Sequence, residues 1–264
     1  MANPYLALLR AQTRAQASYR TSFAVDVVSS TAATVFDVVT VLVLFRVTTS
    51  LGGFSVREAL VVVGLSACAF HAADLAVGEI EKLRHYVRTG LVDTVLVRPL
   101  RALPQLLLSN VPLRVLGRVA LGVVVLVVAL VLAPIEWTPA KVVLTVVAPL
   151  AGAVFFGAMF VATSTVTFWW IESGEIARSL TYAGRDLTTY PITVYEGLFR
   201  RVFAFGLGFG FVAYYPALAL LDRDDPLGLP GWLAWMSPAV AVPAVAVAAL
   251  CWRTGIRHYR STGS

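Results

Sequence analysis

The sequence predicts an all-α, polytopic membrane protein with six transmembrane helices and both termini in the cytoplasm. Three observations carry this. Of 264 residues, 58% are hydrophobic and 14% charged, against roughly 45–50% and 25% in soluble domains. Mean hydropathy is +0.79, which argues against an aqueous globular enzyme and against a disordered chain. The 21 basic and 15 acidic residues leave long uncharged windows between them, each long enough for a helix of about 20 apolar residues with its terminal arginines reaching back to the interface.

The spans are expected at about 23–46, 57–78, 113–134, 142–167, 200–221 and 232–252 of one transmembrane domain covering 1–264. The first is interrupted by Asp26 and Asp37, the kind of segment that hydropathy most easily misses. The first apolar run is too long for a signal-peptide core and lacks a small-residue cleavage site, so it is expected to stay in the protein. Counting Lys and Arg in alternate loops puts 17 on the side of the two termini and four (Arg46, Arg57, Lys141 and Arg223) on the other. Basic loops remain cytoplasmic, which sets the orientation. All six tryptophans fall at or near expected span ends, as an aromatic belt requires. The scattered charges form no basic stripe, so no nucleic-acid partner is expected.

Three segments are expected on the cytoplasmic face. Residues 3–20 place Tyr5, Leu8, Leu9, Gln12 and Tyr19 on one face and Arg10, Arg14 and Arg20 on another, which reads as an interfacial helix against membrane lipid. Residues 79–101 carry Ile80, Leu83, Val87 and Leu91 at helical spacing, with Lys82, Arg84 and Arg88 around them and a stop near Gly90. An exposed apolar stripe beside a basic face suits docking of a protein or of anionic lipid; a solvated extension of span two is the competing reading. Residues 172–195 read, on a weaker signal, as another interfacial or docking helix closed by Tyr190-Pro191.

Inside the bilayer, an ionised Asp37 costs about 2.5–3.5 kcal/mol, so it must face protein, water or a cation. Asp26, Ser30, Asp37 and Thr40 follow steps of three and four residues, giving span one a polar stripe suited to a translocation path or a protomer seam. A hydrogen-bonded packing contact explains the same pattern equally well. His71 and Asp74 share a face of span two and read chiefly as a polar pair at the cytoplasmic boundary, with a proton relay as the alternative. Small residues in span four and Gly206-x-x-x-Gly210 in span five permit close helix approach. Phe205 and Phe209 beside that motif are candidates for an apolar substrate route.

Several chemistries are missing. There is no Walker A glycine-lysine loop, no H-E-x-x-H, no G-x-S-x-G and no metal-type spacing of His or Cys. Cys68 and Cys251 both lie in apolar runs and read as small buried residues.

GLVDTVLVRPL at 90–100, LTTYPITVYEGLFRR at 187–201, FVAYYPALALL at 211–221 and WRTGIRHYRSTGS at 252–264, in this order, resemble the permease subunits of ABC-2 type exporters, in particular a bacterial six-helix subgroup. The resemblance covers essentially the whole chain. It implies a subunit of the bacterial plasma membrane that pairs with itself or with a related permease. It also implies two copies of a separate ATPase, which holds the ATP and Mg; this chain itself carries no cofactor and no catalytic or metal site. It places the ATPase-coupling contact on the loop between spans two and three, thus on Lys82, Leu83, Arg84, Val87, Arg88, Gly90, Asp93, Arg98 and Pro99, and the path on spans one, two and five. The short segment between spans five and six leaves little room for the re-entrant helices common in such exporters unless the span ends supply them. A secondary transporter using Asp37, Asp74 and His71, or a structural scaffold, is the runner-up expectation.

Overall fold

The computed structural model describes residues 20–108 and 115–260. The interfacial helix expected at 3–20 and the tail 261–264 fall outside the described residues, apart from Arg20. The helices are α1 (Arg20–Val47), α2 (Val56–Val77), α3 (Leu83–Arg88), α4 (Leu91–Leu96), α5 (Ala102–Leu108), α6 (Val115–Leu132), α7 (Pro139–Thr165), α8 (Gly174–Thr189), α9 (Gly197–Arg200), α10 (Tyr214–Leu220) and α11 (Ser237–His258). Among the described residues the structure is helical, and a lone bridge between Leu51 and Phe54 closes the turn before α2.

Four helices, α2 with its continuation to Arg88, α6, α7 with its continuation to Phe168, and α11, are long and apolar enough to cross a membrane. They match the second, third, fourth and sixth expected spans to within a few residues, except that α11 starts later and ends later than 232–252. Gly231–Trp235 forms a separate 3-10 turn, and Pro238, with its pre-set φ, opens the helix. α1 occupies the expected first span.

α2 is the central helix, buried along most of its length against α6, α7 and α8. The crossing with α6 is backbone on backbone. A Cβ added at Gly64 would sit 2.6 Å from Leu126 Cα, and one at Gly122 would sit 3.3 Å from the Ala67 carbonyl carbon. Without a hydrophobic drive between helices in lipid, such close van der Waals approach is the main source of cohesion.

Side-chain links define the two ends of the bundle. At the end where α2 and α7 begin, Arg223 bonds the Gly53 carbonyl and pairs with Glu58 at 3.0 Å, and its guanidinium lies over the Phe54 ring. Lys141 pairs there with Asp222. At the end where α2, α7 and α11 finish, Arg84 meets Glu172, and Phe168 packs on Trp252 and Tyr259.

This frame adds detail to two expected segments. Segment 172–195 is not confined to one end. α8 starts beside Arg84 and bonds Thr188 to Ser66 Oγ at 2.7 Å halfway along α2; past its end at Thr189 the segment goes on to Thr193, which donates to the Gly52 carbonyl at 2.7 Å. It therefore runs antiparallel to α2 over the full depth of the bundle. Hydropathy passed over it because Glu175, Arg178, Arg185 and Asp186 lie on it. Its packed face holds by hydroxyl pairs, Thr181 with Thr163 and Thr188 with Ser66, beside the Tyr182 ring against Phe70 and Phe160.

Segment 200–221, expected as a span, is divided into two helical pieces, Gly197–Gly206 and Phe209–Leu220, bent by 62° and together apolar enough to cross. Both ends lie beside the start of α2 and α7, through Thr193 to Gly52 and Asp222 to Lys141. Its middle reaches Phe155, where Gly208 turns with φ +88 against Phe155 and Val240. Phe155 stands 16 residues into α7, about 24 Å at the helical rise, so the segment dips deep into the bundle and returns.

Candidate functional site

α8 carries the first candidate site. Thr181, Gly184 and Thr188 face the bundle and are buried, while Glu175, Arg178, Ser179, Ala183 and Asp186 on the opposite side are exposed. The Asp186 carboxylate is 70% accessible and pairs with its neighbour Arg185 at 3.5 Å. Arg185 also lies over the Phe70 ring, 5.5 Å from the centroid, in the middle third of α2. Hydrocarbon at that depth would charge about 2.5–3.5 kcal/mol for such a carboxylate. An exposed carboxylate there suits a face covered by water or protein.

The residues expected to line a path divide into groups. Asp26, Ser30 and Asp37 lie on α1, and their side chains fall outside the described residues. Thr40 is half-buried and spends its hydroxyl on the Phe36 carbonyl of its own helix at 2.8 Å. Phe209 is 2% exposed, wedged against Phe155 and Phe156, so it belongs to the core of one protomer and not to its surface. Phe205 is half-buried against Tyr215. Asp74 pairs with Arg118 at 3.5 Å at the end of α2, which suits a boundary pair; His71 beside it is buried.

The second candidate site is the loop between α2 and α6. α2 runs on through a 3-10 turn, Gly78–Lys82, into α3, and Gly90 with φ +68 breaks the helix before α4. Left-handed backbone of this kind favours glycine. Ile80, Leu83, Val87 and Val92 are buried in the core together with Leu106 and Phe160. Leu83 and Val87 thus anchor the loop. Leu91, grouped with them by spacing, is 42% exposed because the break at Gly90 rotates it away.

The basic residues are largely engaged within the chain. Lys82 pairs with the buried Glu79 at 2.9 Å, and Tyr86 donates to the same carboxylate at 3.0 Å. Arg84 pairs with Glu172 at 2.6 Å and with Glu175 at 3.5 Å, and Arg88 pairs with Glu172. Hydrogen bonding from Arg88, with the charge of both arginines, holds the Glu172 carboxyl below its ordinary pKa. Arg178 reaches Glu81 at 3.7 Å. The loop and the start of α8 are therefore one electrostatically locked unit. Burial raises the pKa of Glu81 to about 7; Arg178 opposes the rise, and the Asp74 and Glu175 charges add to it.

Left outward on this unit are Leu91, Leu96, Val97, Arg98 and Pro99, with Val97 83% exposed. The two stretches that carry the resemblance most specifically meet beside them. Tyr259, after α11, faces Asp93 on α4, and burial together with that carboxylate raises the phenol to about 12. Sequence reasoning missed Glu172 and Glu175 as partners of the loop; their position three residues apart at the start of a charged helix was the available signal.

No group of three or more His, Cys, Asp or Glu able to hold a metal ion occurs among the described residues. Among the described residues this is a helical bundle with four helices long and apolar enough to cross a membrane, the plan of a polytopic membrane domain. The family profile described as ABC-2 family transporter protein matches residues 31–263, and the chain belongs to that family. It is a multi-pass membrane permease component of an ABC transporter. None of the curated proteins or solved structures matches it.

Proposed function

We propose that this chain is the permease of an ATP-driven exporter in a bacterial plasma membrane, working with two copies of a separate ATPase that binds ATP and Mg. The observation that carries the reading is the polar, exposed face of α8 at mid-depth of the bundle. Taking α8 with the turn to residue 194 as the fifth crossing, α1, α2, α6, α7, α8 and α11 make six, and residues 197–220 form a re-entrant hairpin. An even number of crossings leaves both termini on one side. With Arg178 and Arg185 inside the crossing and Arg200 and Arg201 at the hairpin's mouth, that side still holds 13 basic residues against six, which makes it cytoplasmic.

Two permeases, identical or related, meet with their α8 faces towards each other, and the polar surfaces enclose the route for a hydrophobic or amphipathic substrate such as a drug, natural product or lipid. The ATPase seats on the exposed tip Leu91–Pro99, an apolar patch rimmed by Arg98. Leu83 and Val87, buried beneath it, pass its movement to α2, and the Arg84–Glu172–Arg88 ion pairs pass it to α8. The chain lacks a phosphate-binding loop, so the energy must come from that partner.

Affinity purification of the full chain from its native membrane, with the ATPase encoded beside it, tests the reading. An ATPase in equimolar ratio is expected with the wild type and at least tenfold less with Leu91→Asp plus Val97→Asp. Undiminished recovery of the ATPase with that variant would remove the tip from the mechanism, and absence of any ATPase from the wild type would remove the motor.

A further inference from the structure

An apolar groove of about 1090 Å³ opens on the flank of the bundle away from α8, between the ends of α2, α7 and α11 and the start of α5. Its floor and walls are built from small residues, Ala72, Ala76, Ala153, Gly157 and Ala249 among them, which is why the surface is concave there. Two charged residues line it, Arg101 before α5 and Arg253 on α11, and no acidic residue does. Both arginines are exposed, and neither has an ion-pair partner among the described residues. Trp252 stands beside Arg253 and is held by the Phe168 ring, 5.6 Å away.

Along α11 the groove runs from Val245 to Ile256, 11 residues further on, or about 16 Å of helix. That is half of the roughly 30 Å hydrocarbon core, the depth of a single leaflet. The groove's charged end is the end of the bundle that holds both the 79–101 loop and the α11 C-terminus. Volume, length, dry lining and a two-arginine mouth fit one class of occupant. We propose that this groove is a binding site for a single anionic phospholipid of that leaflet, its acyl chains against the alanines and its phosphate between Arg101 and Arg253. The inference does not depend on which substrate the permease moves or on how the ATPase docks, since none of the groove residues belongs to the α8 face or to the Leu91–Pro99 tip. Such a lipid would bridge α5, at the end of the coupling loop, to α11, two elements distant in sequence that share this wall.

Native mass spectrometry of the full chain titrated with phosphatidylglycerol or phosphatidylethanolamine tests it. One basic residue at the headgroup level favours an anionic lipid about fivefold and two about 30-fold. The wild type is expected to retain one phosphatidylglycerol per protomer with about that preference. Arg101→Gln plus Arg253→Gln should bring the two lipids to near parity while phosphatidylethanolamine binding stays unchanged. Ala76→Leu plus Ala249→Leu, both at exposed positions, should weaken both lipids at least tenfold without changing the thermal midpoint. Equal retention of both lipids by the wild type, or wild-type lipid binding in either variant, overturns the proposal. So does a photoreactive side chain at position 249 that couples to a polypeptide and not to phospholipid.

Discussion

Gly184 is where α8 meets the tip of the re-entrant segment, and a single methyl group there probes the packing of both. A Cβ at this position would lie 2.5 Å from Phe209 Cε1, and closer still to Cζ, whereas ordinary contact begins at 3.4 Å. Neither partner can retreat freely. Phe209 has ring neighbours Phe155 and Phe156 at 5.3 and 6.1 Å, and α8 is tied down by the Thr181–Thr163 and Thr188–Ser66 hydroxyl bonds. Overpacking of nearly one ångström in a filled core costs about 1–3 kcal/mol. Phe209→Leu alone should also destabilise, by on the order of 1–2 kcal/mol, through lost ring packing. The two changes together should be less damaging than their sum, because the shortened side chain vacates the space the methyl needs; a coupling of about 1–2 kcal/mol is expected. Denaturant or thermal unfolding of the four proteins in detergent micelles reads it. Strict additivity, or a neutral Gly184→Ala, would refute the contact and with it the antiparallel course of α8.

Gly208→Ala should destabilise by roughly 1–2 kcal/mol, since its φ of +88 suits glycine and the new Cβ would meet Val240 Cγ1 at 2.8 Å; loss of substrate transport should accompany it in vesicles. Glu81, with its pKa raised to about 7, binds its proton more tightly folded than unfolded, so its contribution to stability is complete below about pH 4.5 and is lost as pH rises through 7. Melting curves between pH 5 and pH 8 should show that decline, and Glu81→Gln should flatten it. Arg84→Glu plus Arg88→Glu should leave the bundle folded, since Glu172 on the other side of these pairs is exposed and screened by water, yet uncouple ATP hydrolysis from transport. Asp74→Asn should leave ATP-driven transport intact with the proton gradient in place; loss of transport in this variant, together with loss of wild-type transport on collapse of the gradient, would favour a proton relay through Asp74 and His71.

The apolar helices were legible because uncharged stretches of Val, Leu and Ala of about 20 residues have few soluble alternatives. α2, α6 and α7 lie where the windows between charges put them, and the loop break at Gly90 was readable from the glycine that ends the periodic run. α8 was not legible for the converse reason. Its buried face is made of Thr181, Gly184 and Thr188 and its outer face of charges, so no local average distinguishes it from a soluble helix. Phe203, Phe205, Phe209 and Phe211 misled in the opposite direction: an aromatic run apolar enough to cross was in fact a bent pair, turned at Gly208. The basic loop was legible as a loop but not as a locked one, because Arg84 and Arg88 find Glu172 more than 80 residues along the chain. The groove has no sequence signature, since Arg101 and Arg253 line one groove only in the folded bundle, 152 positions apart in the chain.

The account turns on α8 as a membrane crossing, and the sidedness of the turn after it tests that most directly. In a chain with Cys68 and Cys251 replaced by alanine, a single cysteine is placed at Glu196, beyond α8, or at Thr89, in the loop between α2 and α6; both positions are exposed. A membrane-impermeant maleimide added to intact cells should label the cysteine at 196 and not that at 89, and inverted vesicles should give the reverse. Labelling of both cysteines from the cytoplasmic side alone would put α8 back on the membrane surface and contradict the account.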